Sequence, residues 1–193
     1  GGTGTQTTDI NHTIAIGTNT LANLESGIGN VAVGFEALNA EDDGDHNTAI
    51  GYQALVAQTG TSGTVGNTAL GYKAGESVLT GVRNTYIGSN AGQKASGSAA
   101  DDNTALGYQA LQANASGSNN VAIGAFALKL AHNVKDVVAI GRNTLGNLIA
   151  STDPLGTIAI GSAALKELTT GAGNTAVGYQ SGLALTTGHN NVA

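Results

Sequence analysis

The stretch Asn47-Thr48-Ala49-Ile50-Gly51-Tyr52-Gln53-Ala54-Leu55 decides the fold. Side chains alternate across an extended chain, so Thr48 and Ile50 share one face and Ala49 points to the other. Thr and Ile favour strands. Gly51 then opens backbone conformations closed to other residues, which suits a bend directly after the strand. Leu55 returns an apolar side chain beyond that bend.

The stretch recurs along the chain. Ile14-Ala15-Ile16-Gly17, Val31-Ala32-Val33-Gly34 and Thr48–Gly51 are followed by seven further copies, the last being Thr175–Gly178, which makes ten. The motif glycines are spaced 17 to 20 residues apart, and an eleventh copy starts at Asn191-Val192-Ala193. Counted from the motif glycine, position −1 is always Ile, Val or Leu, and position −2 is Ala in nine of ten copies, Tyr86 being the exception. Position −3 is Thr, Val or Ile; −4 is Asn in seven copies; +3 is Ala, Ser or Thr; +4 is Leu in seven and Gly in three. An Ala-only position implies a surface packed at short range, because open solvent tolerates any side chain. Asn at −4 suits the turn into the strand, where its side chain bonds nearby backbone.

A 17-residue unit is too short for a propeller blade or a helical hairpin and suits one coil of a β-solenoid. Each coil is expected to hold two short strands and two turns, with the stretch after each Gly left open between strand and helical turn. The longer spacings place loops at Gln58–Gly66, Lys94–Asp102 and Asn147–Gly156, joined by the acidic loop Glu41–His46. The expected organisation is a lead-in over residues 1–10 and one repeat domain over 11–193.

Composition agrees and excludes alternatives. Of 193 residues, 30 are Gly and 31 Ala, while one is Pro and none is Cys, Met or Trp. Without a Gly-x-y period there is no collagen helix. Without Cys there is no disulfide framework and no thiolate chemistry. No apolar run approaches the ~18 residues of a membrane-spanning helix. The net charge of −6, with scattered bases, argues against a nucleic-acid partner.

The N-[TVI]-A-[ILV]-G-x-x-A-L units resemble the head repeats of trimeric autotransporter adhesins and similar repeats in bacteriophage tail fibres, from about Asn11 to Ala193. The variant Gly-Tyr-Gln-Ala-Leu at Gly51–Leu55 and Gly107–Leu111 is closer to the fibre proteins. The resemblance implies an all-β, left-handed parallel β-roll of about ten coils, three chains side by side, and an extracellular, cell-surface or virion fibre that binds surfaces. Independently, a roll this poor in large residues buries little surface alone, and its Ala columns offer a flat face for another chain.

Candidate chemistry is sparse. Glu41-Asp42-Asp43-Gly44-Asp45 is dense enough in carboxylates for Ca²⁺, but its order does not match an EF-hand loop; a solvated loop is the simpler reading, and the same holds for Asp101-Asp102. His12 and His46 share position −5 two coils apart, too far for one metal ion, and His132 and His189 stand elsewhere. Tyr52, Tyr72, Tyr108 and Tyr179 follow motif glycines, joined there by Phe35; this stripe reads as packing of neighbouring coils or a chain seam rather than a sugar-stacking ladder. No Gly-x-Ser-x-Gly elbow and no Gly-x-x-x-x-Gly-Lys loop occurs. The chain is therefore read as non-enzymatic, with no catalytic, cofactor-binding or metal-ligating residues and no cofactor. Its expected partners are itself, as a homotrimer, and a cell-surface or glycan target met by its loops. The alternative is a filament subunit that polymerises end to end through open coil edges.

Overall fold

A computed structural model describes residues 12–59, 63–94, 100–149 and 156–193. The lead-in expected over residues 1–10 lies outside them, as do parts of the three longer loops. The strands are β1 (Ile14–Ile16), β2 (Val31–Val33), β3 (Gly44–Asp45), β4 (Thr48–Ile50), β5 (Gly63–Thr64), β6 (Thr68–Leu70), β7 (Thr85–Ile87), β8 (Thr104–Leu106), β9 (Val121–Ile123), β10 (Val138–Ile140), β11 (Ile158–Ile160) and β12 (Thr175–Val177). Among the described residues there is no helix. Ten strands form one parallel sheet in chain order, with β3 and β5 paired separately. The molecule is a β-solenoid, one main strand per coil. At ~4.8 Å per strand, the stack is roughly 45 Å long.

The register follows the repeat. Ala32 sits between Ala15 and Ala49, and Tyr86 between Ala69 and Ala105. Pairing continues past the strands: Gln53 N–H donates to Phe35 O at 2.9 Å and Leu55 N–H to Ala74 O at 3.0 Å. Each coil is thus a template for the next along most of its length.

Two strands per coil were expected, and the structure has one in most coils. The reason lies after the motif Gly, whose φ is +121° to +138° throughout. Position +2 is left-handed in every coil, and so is +4, where the seven Leu have φ of +47° to +52°. Alternating left-handed residues curl the chain into turns and forbid an extended strand. A left-handed non-Gly residue costs about 1–2 kcal/mol. Full burial of a Leu returns about 1.5–3 kcal/mol, and Leu38, Leu55 and Leu111 are fully buried. Burial therefore carries the strain. The motif glycines are required by contact as well as by φ. A Cβ on Gly71 would lie 2.8 Å from Gly88 O in the next coil.

The expected orientation of the sheet is reversed. The Ala column at −2 faces the roll's own interior: Ala32, Ala49, Ala69, Ala105, Ala122, Ala139, Ala159 and Ala176 are fully buried within a single chain. The crowding that the Ala column signals comes from the coil's own far side, so this column is not a face for another chain. The interior also holds the +3 Ala and +4 Leu side chains, and a column at +7 that includes Leu24, Glu41, Gln58, Val78 and Leu148.

Asn at −4 works between coils, whereas a role in its own turn was expected. Asn67 Nδ2 donates to Gly81 O in the next coil at 2.6 Å, and Asn67 Oδ1 accepts Asn84 N–H at 2.8 Å. Asn30, Asn84, Asn103, Asn120 and Asn174 repeat both bonds. These amides are buried in all but the last case, so the ladder satisfies backbone groups that water does not reach.

Candidate interaction face

With Ala turned inward, positions −3 and −1 form the outer surface of the sheet. Leu70 is 47% exposed, Leu106 45% and Ile16 59%, and Ile50, Ile158 and Ile160 are exposed as well. The +1 column adjoins them, with Phe35, Tyr52, Tyr72, Tyr108 and Tyr179 all exposed. The result is an aliphatic row at −1 that runs through every coil, flanked by Val, Ile or Thr at −3 and by an aromatic at five of the ten +1 positions. Single exposed apolar residues are ordinary, but a contiguous band is the mark of an interaction surface.

The aromatic stripe has a defined geometry. Phe35 stacks on Tyr52 at 5.2 Å and Tyr52 on Tyr72 at 5.4 Å, with interplanar angles of 14° and 16°. The faces of Tyr52 are covered by its two neighbours, so this ring presents its edge outward. A sugar ring stacks on an aromatic face, and Tyr52 has none to give. The ladder instead offers a stiff apolar ridge, flanked by Glu36 and Gln53, which are joined by a 2.8 Å hydrogen bond.

The acidic loop is largely absorbed by the fold. Glu41 is fully buried in the +7 column. Its Oε1 accepts Gly44 N–H at 2.8 Å and its Oε2 accepts Gln58 Nε2 at 2.9 Å. Gln58 Oε1 in turn accepts Asn67 Nδ2 at 3.0 Å. Burial, opposed by these donors and reinforced by Asp42, raises the Glu41 carboxyl above its usual range. Asp45 Oδ1 accepts Ile28 N–H at 2.8 Å. Carboxylate oxygens of Glu41, Asp42 and Asp43 lie within 4.8 Å of one another. Donors hold both Glu41 oxygens and anchor the loop in the core, while Asp42 Oδ1 and Asp43 Oδ1 are buried without a hydrogen-bond partner.

The remaining sequence candidates are dispersed. His12 and His46 are exposed and left-handed, with φ of 64° and 60°. The whole −5 column is left-handed, including Gly29, Asp102, Asn119 and Gly173, which accounts for its Gly, Asn and Asp content. Asp101 Oδ1 accepts Val82 N–H at 2.9 Å, and Asp102 holds Arg83 in a bidentate pair at 2.6 and 2.8 Å. His132 is exposed, and His189 Nδ1 accepts Ala172 N–H at 3.1 Å. The loops at Gln58–Gly66, Lys94–Asp102 and Asn147–Gly156 include residues 60–62, 95–99 and 150–155, which lie outside the described residues.

Comparison of the chain with protein families, with curated proteins and with solved structures gave no match. Among the described residues, no helix is long and apolar enough to cross a membrane.

Proposed function

We propose that the chain is a non-enzymatic structural segment of an extracellular or virion fibre, in which three copies associate side by side through the outer sheet face and display loops for surface attachment. The observation that carries this reading is the outward-facing aliphatic row at −1, widened by Val and Ile at −3 and by the aromatics at +1. It runs the length of a rod whose own interior is already filled by Ala and Leu. Stable interfaces bury on the order of 800 Å² per partner, and a band roughly 45 Å long needs a width of only about 18 Å to supply that. Symmetric closure lets each copy cover its neighbour's band. The resemblance of the repeat to adhesin heads and tail fibres points the same way.

Negative-stain electron microscopy of the purified chain tests the reading. Discrete short rods, thicker than one solenoid, are the expected particles. Indefinite end-to-end polymers would favour the filament alternative, and isolated single-solenoid particles would contradict both.

A further inference from the structure

Gly146 stands apart from the motif glycines. No positive φ sets it in the left-handed region, and a Cβ placed on it would meet only the backbone of Asn143 in its own turn, at 3.2 Å and beyond. Neither backbone conformation nor a neighbouring coil requires glycine there. Its +5 counterparts carry side chains, including Glu76, Gln93 and Gln112, which bond along the column at 2.6 and 2.8 Å. What Gly146 contributes is space.

That space is a surface cavity of about 300 Å³ lined by Phe126, Lys129, Asn143, Gly146, Asn147 and Lys166. Lys129 and Lys166 hold the +5 position in the coils on either side of Gly146, so their backbones are on the order of 10 Å apart. Lys129 lies over the Phe126 ring at 5.1 Å and forms no ion pair among the described residues. Lys166 pairs with Glu167 Oε1 at 3.1 Å, and Asn147 Nδ2 donates to Glu167 Oε2 at 2.9 Å. This fixes Asn147 and leaves its Oδ1 as an acceptor. The Asn143 side-chain amide makes no hydrogen bond among the described residues. Two ammoniums, Lys129 and Lys166, against one carboxylate, Glu167, leave the notch with a net positive charge.

We propose that this notch binds a sugar carrying a carboxylate. The carboxylate meets the Lys129 ammonium, which has no carboxylate partner among the described residues, the hydroxyls meet Asn143, Asn147 Oδ1 and the Glu167-paired Lys166, and the apolar side of the ring lies against Leu130, which also lines the notch. A 300 Å³ cavity is at the small end of ligand pockets, matched to one sugar unit. The site is separate from the −3, −1 and +1 band and does not depend on self-association.

The test is saturation-transfer NMR on the full 193-residue chain with glucuronate as probe and glucose as the neutral control. Saturation is expected to pass to glucuronate. Loss of one charge-assisted contact in Lys129→Gln should raise its Kd about tenfold, and glucose should bind at least about tenfold more weakly for the same reason. Gly146→Leu fills the notch and should remove binding. Lys129→Gln, an outward-facing change, keeps the test decisive should Gly146→Leu disturb its turn. No transfer to glucuronate, equal binding of glucose, or an unchanged Kd in Lys129→Gln would overturn the proposal.

Discussion

The ring of Tyr86 occupies the space that a side chain on Gly92 would need. A Cβ on Gly92 would run into Tyr86 Cδ1 and Cε1, and one on Gly75, in the preceding coil, would come within 3.1 Å of Tyr86 Cδ2. Tyr86 is the sole departure from Ala at −2, and Gly75 and Gly92 are two of the three departures from Leu at +4. One large residue thus replaces two Leu in a core of fixed cross-section. The exchange also suits the backbone, since φ at Gly75 and Gly92 is +60° and +57°.

Tyr86→Ala should accordingly cost about 3–5 kcal/mol, the usual penalty for emptying a large aromatic site. Gly92→Leu alone should overpack the coil and cost about 1–3 kcal/mol. The triple change Tyr86→Ala, Gly75→Leu, Gly92→Leu recreates the packing of the other coils and should recover most of that loss. Urea denaturation of the single and combined variants checks this, and additive losses would contradict it.

Asn84→Ala removes the donor to Ala100 O, at 2.6 Å, and the acceptor for Asn103 N–H, at 2.9 Å. Both backbone groups are left without that partner inside the roll. The expected cost is about 2–4 kcal/mol, from two buried groups at about 1–3 kcal/mol each with partial relaxation. Thermal denaturation reads it. The same substitution at exposed Asn133, which is not in the left-handed region, should cost less than ~1 kcal/mol.

Glu41 predicts a pH dependence. Its folded-state pKa lies above the ordinary 4.5, chiefly through burial. A raised folded pKa gives a contribution that is fully present below the unfolded value and is lost as pH rises through the folded one. Relative to Glu41→Gln, the parent chain should therefore lose stability as pH climbs from below 4.5 toward neutrality. Urea denaturation of both proteins at several pH values measures the gap. A gap that widens in the parent's favour over that rise would contradict the assignment.

The acidic loop also predicts an outcome with calcium. Because Gly44 N–H and Gln58 Nε2 occupy both oxygens of Glu41, millimolar Ca²⁺ should leave the melting temperature unchanged. A clear upward shift would show a cation site that the hydrogen bonds do not foretell.

The coil architecture was legible because Ile/Val/Thr-Ala-Ile/Val/Leu-Gly combines strand alternation with an obligatory bend and returns ten times. Which face points inward was not legible. Period two separates Ala49 from Thr48 and Ile50, but both faces are apolar, and hydrophobicity alone assigns the larger side chains to the core. Cross-section decides instead: two walls of one narrow coil meet over Ala and Leu55, leaving Ile50 outside. Strand and turn are not separable after the motif Gly, because Leu55 suits a strand and a left-handed Leu leaves no signature until burial is known. Glu41 reads as solvent-facing from its acidic neighbours, and only the +7 column, shared with Leu24 and Gln58, places it in the core. Gly146 is hidden among 30 glycines until its φ and its open surroundings are seen.

Sedimentation equilibrium of the chain, beside a Leu70→Lys, Leu106→Lys variant, tests the self-association claim most directly. Both leucines are about half exposed on the outer band, so the variant keeps the solenoid and places charge at two coils of the interface. The account predicts a parent species of three times the 18.9 kDa chain mass and a folded variant at or near the monomer mass. A monomeric parent, or a variant that remains trimeric, would contradict it.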